Sequence, residues 1–251
     1  MNTQTERIVP TVVTAYNSKE PLISLHIPKT GGTSLRTILL RWFPNGQFLE
    51  HYPNNGLLPL RHDCRGPVCI HGHFNSTRGF GVAEYYPHAS QFITFLRDPF
   101  NRICSLWFFF NEAKRRGSRV PALDGDPDFE TWLQRRAATQ AAGNNDFSFL
   151  RQLPRSPDRE RPETAFERGF VFIGITERYT ESVAALAAAL GKPVPTHVPH
   201  VNTTQENKAS LESYRAFYEQ HFSDEYTVYD EARRRNAAAI ELLVRTQRPV
   251  C

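Results

Sequence analysis

The segment His26-Ile27-Pro28-Lys29-Thr30-Gly31-Gly32-Thr33-Ser34 sets two adjacent glycines between a lysine and a pair of hydroxyls. Glycines let a backbone approach a ligand closely and adopt conformations barred to other residues. Where such a turn feeds a helix, successive N–H groups and the helix N-terminus form a nest for an anion. Lys29 adds a full positive charge, and Thr33 and Ser34 add hydroxyl donors, which is chemistry for a terminal phosphate or sulfate. The triphosphatase pattern G-x-x-x-x-G-K-[ST] is absent, because Lys29 precedes its glycines.

A second anion site is written in Phe95-Leu96-Arg97-Asp98-Pro99-Phe100-Asn101-Arg102-Ile103-Cys104-Ser105. Arg97 ends an apolar run, the place where open α/β sheets bind ligands. Arg102 lies one turn and Ser105 two turns into the helix that follows. An arginine fork with a hydroxyl donor suits a second phosphate. Either segment alone also fits an ordinary strand–turn–helix connection; the two together point to a ligand with two anionic groups. Between them stands His71-Gly72-His73-Phe74. Histidine titrates near neutral pH and is a fit general base, and strand alternation puts His71 and His73 on one face. Carboxylates at Glu50 and Glu84 are the fallback bases.

Elements that could position these groups are legible in the apolar pattern. Leu22–Ile27, Val68–His71, Gln91–Arg97 and Phe170–Ile175 read as strands, the third apolar almost throughout, as expected of a strand covered on both faces. Leu35, Ile38, Leu39, Trp42 and Phe43 give a helical stripe that Pro44-Asn45-Gly46 ends. Asp98 suits an N-cap and Pro99 the first turn of the next helix. Tyr179–Leu190 reads as a helix stopped by Gly191, and residues 209–245 as one or two helices carrying Tyr214, Phe217, Tyr218, Ile240 and Leu243 inward. Strands alternating with helices predict an α/β fold: a three-layer parallel sheet flanked by helices, in one domain over 1–251. Residues 117–165, broken by Pro121, Pro127, Pro154, Pro157 and Pro162, read as an acceptor-side insertion.

The two anion motifs together resemble those of the PAPS-dependent sulfotransferases (PAPS is 3′-phosphoadenosine 5′-phosphosulfate). The chain looks nearest to the carbohydrate O-sulfotransferase branch that includes heparan sulfate 2-O-sulfotransferase, among sulfotransferase family 2 proteins. The residues carrying the resemblance are Pro28 through Ser34, Arg97-Asp98-Pro99 through Arg102, and Ser105. Weaker echoes follow at Gly174-Ile175-Thr176-Glu177-Arg178, at His200-Val201-Asn202, and at Asp224, Tyr226 and Tyr229. The resemblance implies a P-loop-like sulfotransferase fold. It implies that Pro28–Ser34 hold the 5′-phosphosulfate, with Arg97 and Ser105 on the 3′-phosphate, and a histidine of the His-Gly-His segment as base, His73 ahead of His71. Lys29 would neutralise charge on the leaving phosphate, and no metal is required. A nucleotide-dependent small-molecule kinase and a non-catalytic nucleotide-binding protein are the alternatives. Turnover with PAPS in the absence of Mg²⁺ separates them.

Composition narrows the classes further. The chain has 251 residues, 40% of them hydrophobic and 12% aromatic, and a net charge of +4. Across residues 114–168, 11 basic residues face 9 acidic ones, a net of +2. That is a mixed solvated surface, so nucleic acid is not an expected partner. Cys64, Cys69, Cys104 and Cys251 are too few for a disulfide framework, and Cys64, Cys69, His71 and His73 lack the spacing of a structural zinc site. Phe92–Leu96 and Leu106–Phe110 are too short to cross a bilayer, and Met1–Pro10 lacks an apolar leader core. The expectation is a soluble, cytoplasmic enzyme of bacterial type, the alternative being a luminal piece of an anchored protein. On that reading the sequons at Asn75 and Asn202 are chance matches.

Overall fold

A computed structural model of the protein describes residues 14–54, 56–154, 161–167, 169–198 and 208–247. Five strands, β1 (Leu22–Leu25), β2 (Phe48–His51), β3 (Cys69–Gly72), β4 (Phe92–Leu96) and β5 (Phe170–Ile175), form one sheet in the order β2-β3-β1-β4-β5. Every pairing is parallel, with Leu25 opposite Gly72 on one side and Thr94 on the other. The chain leaves β1 toward the β2 edge and later crosses to β4 on the opposite side, so the strand order reverses about β1. At such a switch point the crevice beyond the strand ends is the natural ligand site.

The helices are α1 (Gly32–Trp42), α2 (Val82–Tyr85), α3 (Pro99–Arg115), α4 (Phe129–Ala141), α5 (Phe149–Gln152), α6 (Tyr179–Leu190), α7 (Arg215–His221) and α8 (Ser223–Gln247). Alternation divides the sheet residues between two faces. Leu22, Cys69, Ile93, Phe95 and Phe172 pack against Leu35, Leu39 and Trp42 of α1 and Val183, Leu186 and Leu190 of α6. Ile23, Leu25, Ile70, Phe92 and Ile173 pack on the other face against Phe149, Phe166, Val228 and Ala232. Both faces are therefore dry, which explains strands that are apolar at nearly every position. The three-layer α/β architecture is the one expected.

Several boundaries follow from local chemistry. The Asp98 side chain accepts from Asn101 N at 2.8 Å with Pro99 behind it, and Gly191 closes α6 in the left-handed region at φ 62°. Strand β2 was not expected from sequence: its four residues lie at the sheet edge, and only His51 is buried. Residues 117–165 supply α4 and α5. Trp132 and Leu133 of α4 join Phe100 and Ile103 of α3 and Tyr218 and Phe222 in a third cluster outside the sheet.

One buried ion pair ties this cluster to the core. Arg102 Nη2 donates to Glu225 Oε2 at 3.0 Å and to Phe147 O at 2.8 Å, and both charged side chains are almost fully buried. Glu225 Oε1 accepts from Phe149 N at 2.9 Å, so the carboxylate also fixes the start of α5. Removing one partner of such a pair leaves the other charge buried and unmatched, at a cost of about 3–5 kcal/mol. Glu225→Leu should lower unfolding stability by that much in urea titrations, and Arg102→Met/Glu225→Leu should recover most of the loss. A double variant less stable than the single one would show that Arg102 stabilises through its other contacts, Phe147 O and the Phe149 ring.

Candidate active site

The phosphate-type loop leaves β1 at its carboxyl end and enters α1 through two left-handed residues, Lys29 at φ 70° and Gly31 at φ 85°. For Gly31 the conformation is easy; for Lys29 it is strained and must be held by its surroundings. Between them Thr30 is buried, its hydroxyl donating to Ile27 O at 2.8 Å. Gly31 caps α1 without a side-chain hydrogen bond, the arrangement in which first-turn N–H groups serve an anion. A Cβ on Gly32 would lie 1.9 Å from the His26 ring, so only glycine fits there. Ser34 is buried and bonds the Tyr179 phenol, which donates to Gly31 O at 3.1 Å; Thr33 is exposed and Pro28 half-buried.

Arg97 stands at the end of β4, and its Nη1 donates to Lys29 O at 3.4 Å, which brings the second motif against the first. The Lys29 ammonium sits 4.8 Å from the ring centre of Phe109, on α3. Ser105 is buried two turns into the same helix. Arg102 does not join them. Its guanidinium points inward to Glu225, so the expected place for it on a phosphate is corrected: helical periodicity turns Arg102 toward α8.

A single hydroxyl clamps the two motifs. Thr176, just beyond β5, directs its Oγ1 to Thr30 O and Leu96 O, both at 2.9 Å. Beside it Glu177 accepts from Asp98 N at 3.0 Å and from the Tyr229 hydroxyl at 2.9 Å, while Arg215 pairs with Asp98 at 3.2 Å. The segment Gly174–Arg178 is thus the strut of the site. His200-Val201-Asn202 and Cys251 lie outside the described residues.

The histidines separate into two kinds. His71 is wholly buried, bonded through Nδ1 to Ser24 Oγ at 2.9 Å, and burial holds it down to about 3. His73 lies just past β3, partly buried, and its Nδ1 bonds His26 O at 2.6 Å. A carbonyl only accepts, so Nδ1 carries the proton and Nε2 the lone pair. Burial, with help from Arg78, keeps His73 below the usual histidine range, which favours the neutral form a base needs. Two further residues, which sequence reasoning missed, surround it: His26, whose ring centre lies 4.5 Å away, and Tyr52, which meets the His73 ring edge-on at 4.9 Å. Their signal was only a histidine ending the first strand and a tyrosine following an unrecognised one. Glu50 is engaged by Arg36, and Glu84 is exposed. Among the described residues no three His, Cys, Asp or Glu side chains group as metal ligands, and no helix is long and apolar enough to cross a membrane.

Burial also lowers His51, to about 4, and holds His26 well below its usual value. A folded-state value below the unfolded one, about 6.5, means that the unfolded chain binds more protons on the acid side. The stability these neutral histidines allow is complete above pH 6.5 and is lost as pH falls toward 4. Urea midpoints should therefore drop between pH 6.5 and 4.5. In His71→Leu the slope of that drop should lessen by about one proton, or roughly 1.4 kcal/mol per pH unit. An unchanged slope would mean that His71 is protonated within the fold.

Comparison with known proteins accords with this geometry. The family model described as the sulfotransferase family matches residues 14–236. No curated protein sequence matches the chain. Among solved structures, the chain is similar to mouse sulfotransferase SULT7A1, complexed with PAP in its crystal structure, at a TM-score of 0.51 and 13% identity, covering 87% of this chain and 88% of that one. At that identity the likeness bears on the fold alone, while the family match takes in the phosphate-type loop, the His-Gly-His segment, the Arg97–Ser105 helix and the Thr176 strut. The chain belongs to the sulfotransferase family.

Proposed function

We propose that this sulfotransferase moves the sulfuryl group of PAPS onto a hydroxyl of a carbohydrate or glycan, with His73 as general base. The observation that carries the reading is the convergence at one crevice of an uncapped helix start, Lys29, Arg97 and a histidine whose Nε2 bears the lone pair. The loop Pro28–Ser34 would hold the 5′-phosphosulfate, and Arg97 with Ser105 the 3′-phosphate. PAPS supplies an activated sulfuryl group, transferred as the acceptor oxygen bonds to sulfur and the bond from sulfur to the 5′-phosphate oxygen breaks, leaving PAP. His73 Nε2 takes the acceptor proton. Lys29 neutralises charge growing on the departing phosphate, a term that acts chiefly in the transition state. The chemistry needs positioning and charge rather than a metal.

The carbohydrate acceptor rests on the likeness of His71-Gly72-His73 to the 2-O-sulfotransferase branch, and residues 51–90 and 117–165 are the segments we assign to acceptor choice. A cytoplasmic setting is supported by Asn75, whose side chain is buried and donates to Asp146 O at 2.7 Å, a contact that a glycan would break.

Two measurements test the reading. PAP should bind far more tightly than AMP in calorimetry, because the AMP complex forgoes the charge-assisted contact of Arg97 with a 3′-phosphate, about 2–5 kcal/mol; equal affinities would remove the second phosphate site. With radiolabelled PAPS and a panel of glycan acceptors, His73→Ala should lose at least about a hundredfold in turnover while binding PAP normally. His71→Ala should lose less. Wild-type turnover should fall with acid at a pH below 6.5, where His73 protonates. An active His73→Ala enzyme would place the base elsewhere.

A further inference from the structure

The His73 ring is aimed by a residue that belongs to the other half of the site. His26 is the first residue past β1, and its two ends are held independently. Its N–H donates to Gly72 O at 2.7 Å, continuing the sheet ladder by one step. Its ring lies against Gly32 with no room for a Cβ between them, and ring Nδ1 bonds the Tyr52 hydroxyl at 2.8 Å. With backbone and ring both fixed, the intervening carbonyl has little freedom, and it is this carbonyl that receives the His73 Nδ1–H. Tyr52 closes the arrangement by packing edge-on to both rings, with centres 5.8 Å from His26 and 4.9 Å from His73.

We infer that His26 and Tyr52 are positioning residues for the base: Tyr52 locks the His26 ring, and His26 O fixes the tautomer and direction of His73. The inference rests on the reading of His73 as base and extends it to residues that need touch neither substrate. The arrangement does for His73 what a buried carboxylate does for the histidine of a hydrolytic triad, with a main-chain carbonyl in the carboxylate's place. Other titratable groups facing the His73 ring are His26 itself, His51, Arg78 and His71, the last stacked on His26 with centres 5.3 Å apart, and Lys29 lies near His26; all are cationic when charged. None of them is a carboxylate, so the His26 carbonyl is the acceptor that the pair supplies to His73.

Tyr52→Phe keeps the aromatic wall and removes only the hydroxyl. It should lower kcat about tenfold, less than loss of the base itself, with KM for PAPS and PAP affinity unchanged. Loosening the carbonyl bond also removes a contact that favours protonated His73, so the acid limb of the kcat profile should move to lower pH. Tyr52→Leu should cost more than Tyr52→Phe. Side-chain ¹⁵N spectra of the wild-type enzyme should show His73 as the Nδ1–H tautomer, a reading that does not depend on any variant folding. An Nε2–H tautomer overturns the inference, as does a Tyr52→Phe enzyme with wild-type kcat and pH profile. If His73→Ala remains active, the base reading itself fails; if His73→Ala is inactive and Tyr52→Phe is normal, only the positioning role fails.

Discussion

The close approach of α1 to His26 is the constraint on which the site depends. A glycine at position 32 lets the helix start lie directly on the imidazole, and any side chain there would push the two apart. On one side of that contact the loop through Lys29 and Gly31 takes its left-handed turns; on the other the His26 carbonyl meets His73. One residue therefore couples the loop proposed to grip an anion to the histidine proposed to accept a proton. The coupling is short, rigid and made largely of main chain, so each half keeps its geometry relative to the other without a network of flexible side chains.

A second restraint acts from the far edge of the sheet. The Thr176 hydroxyl lies between Thr30 O and Leu96 O, carbonyls from the ends of two different strand connections, and neither could move away without losing that partner inside a largely buried setting. Glu177 and Arg215 then hold the two ends of Asp98, its amide and its carboxylate. Lys29, a non-glycine in a left-handed conformation, sits within this frame, which is where backbone strain is commonly stored at functional sites. The frame maintains a conformation that the local sequence disfavours.

How far the sequence could be read depended on whether the signal was local. Strand β5 and helix α6 were legible to the residue, because an unbroken apolar run and a glycine stop need no partner to be recognised. The cap at Asp98 was equally plain. Strand β2 escaped because an edge strand of four residues alternates too little to stand out. Arg102 was misplaced since its partner, Glu225, lies 123 residues away and nothing in the local pattern announces a buried acid. His71 and His73 looked equivalent by alternation, and they differ through the end of the ladder: one is sealed beside Ser24, whereas the other steps beyond the strand. His26 and Tyr52 acquire meaning only when three strand ends are brought together, a property of topology rather than of any window of residues.

The span of the Thr176 clamp bears on how the protein is made. Thr30 and Thr176 are 146 residues apart, and Glu225, which anchors α5, comes later still. A chain emerging from the ribosome N-terminus first presents its phosphate-type loop long before the strand that secures it exists. Until Thr176 has been made, the frame around the left-handed Lys29 lacks that hydroxyl. The clamped form of the loop thus requires a chain made at least through Thr176, and shorter nascent chains carry the motif without its clamp.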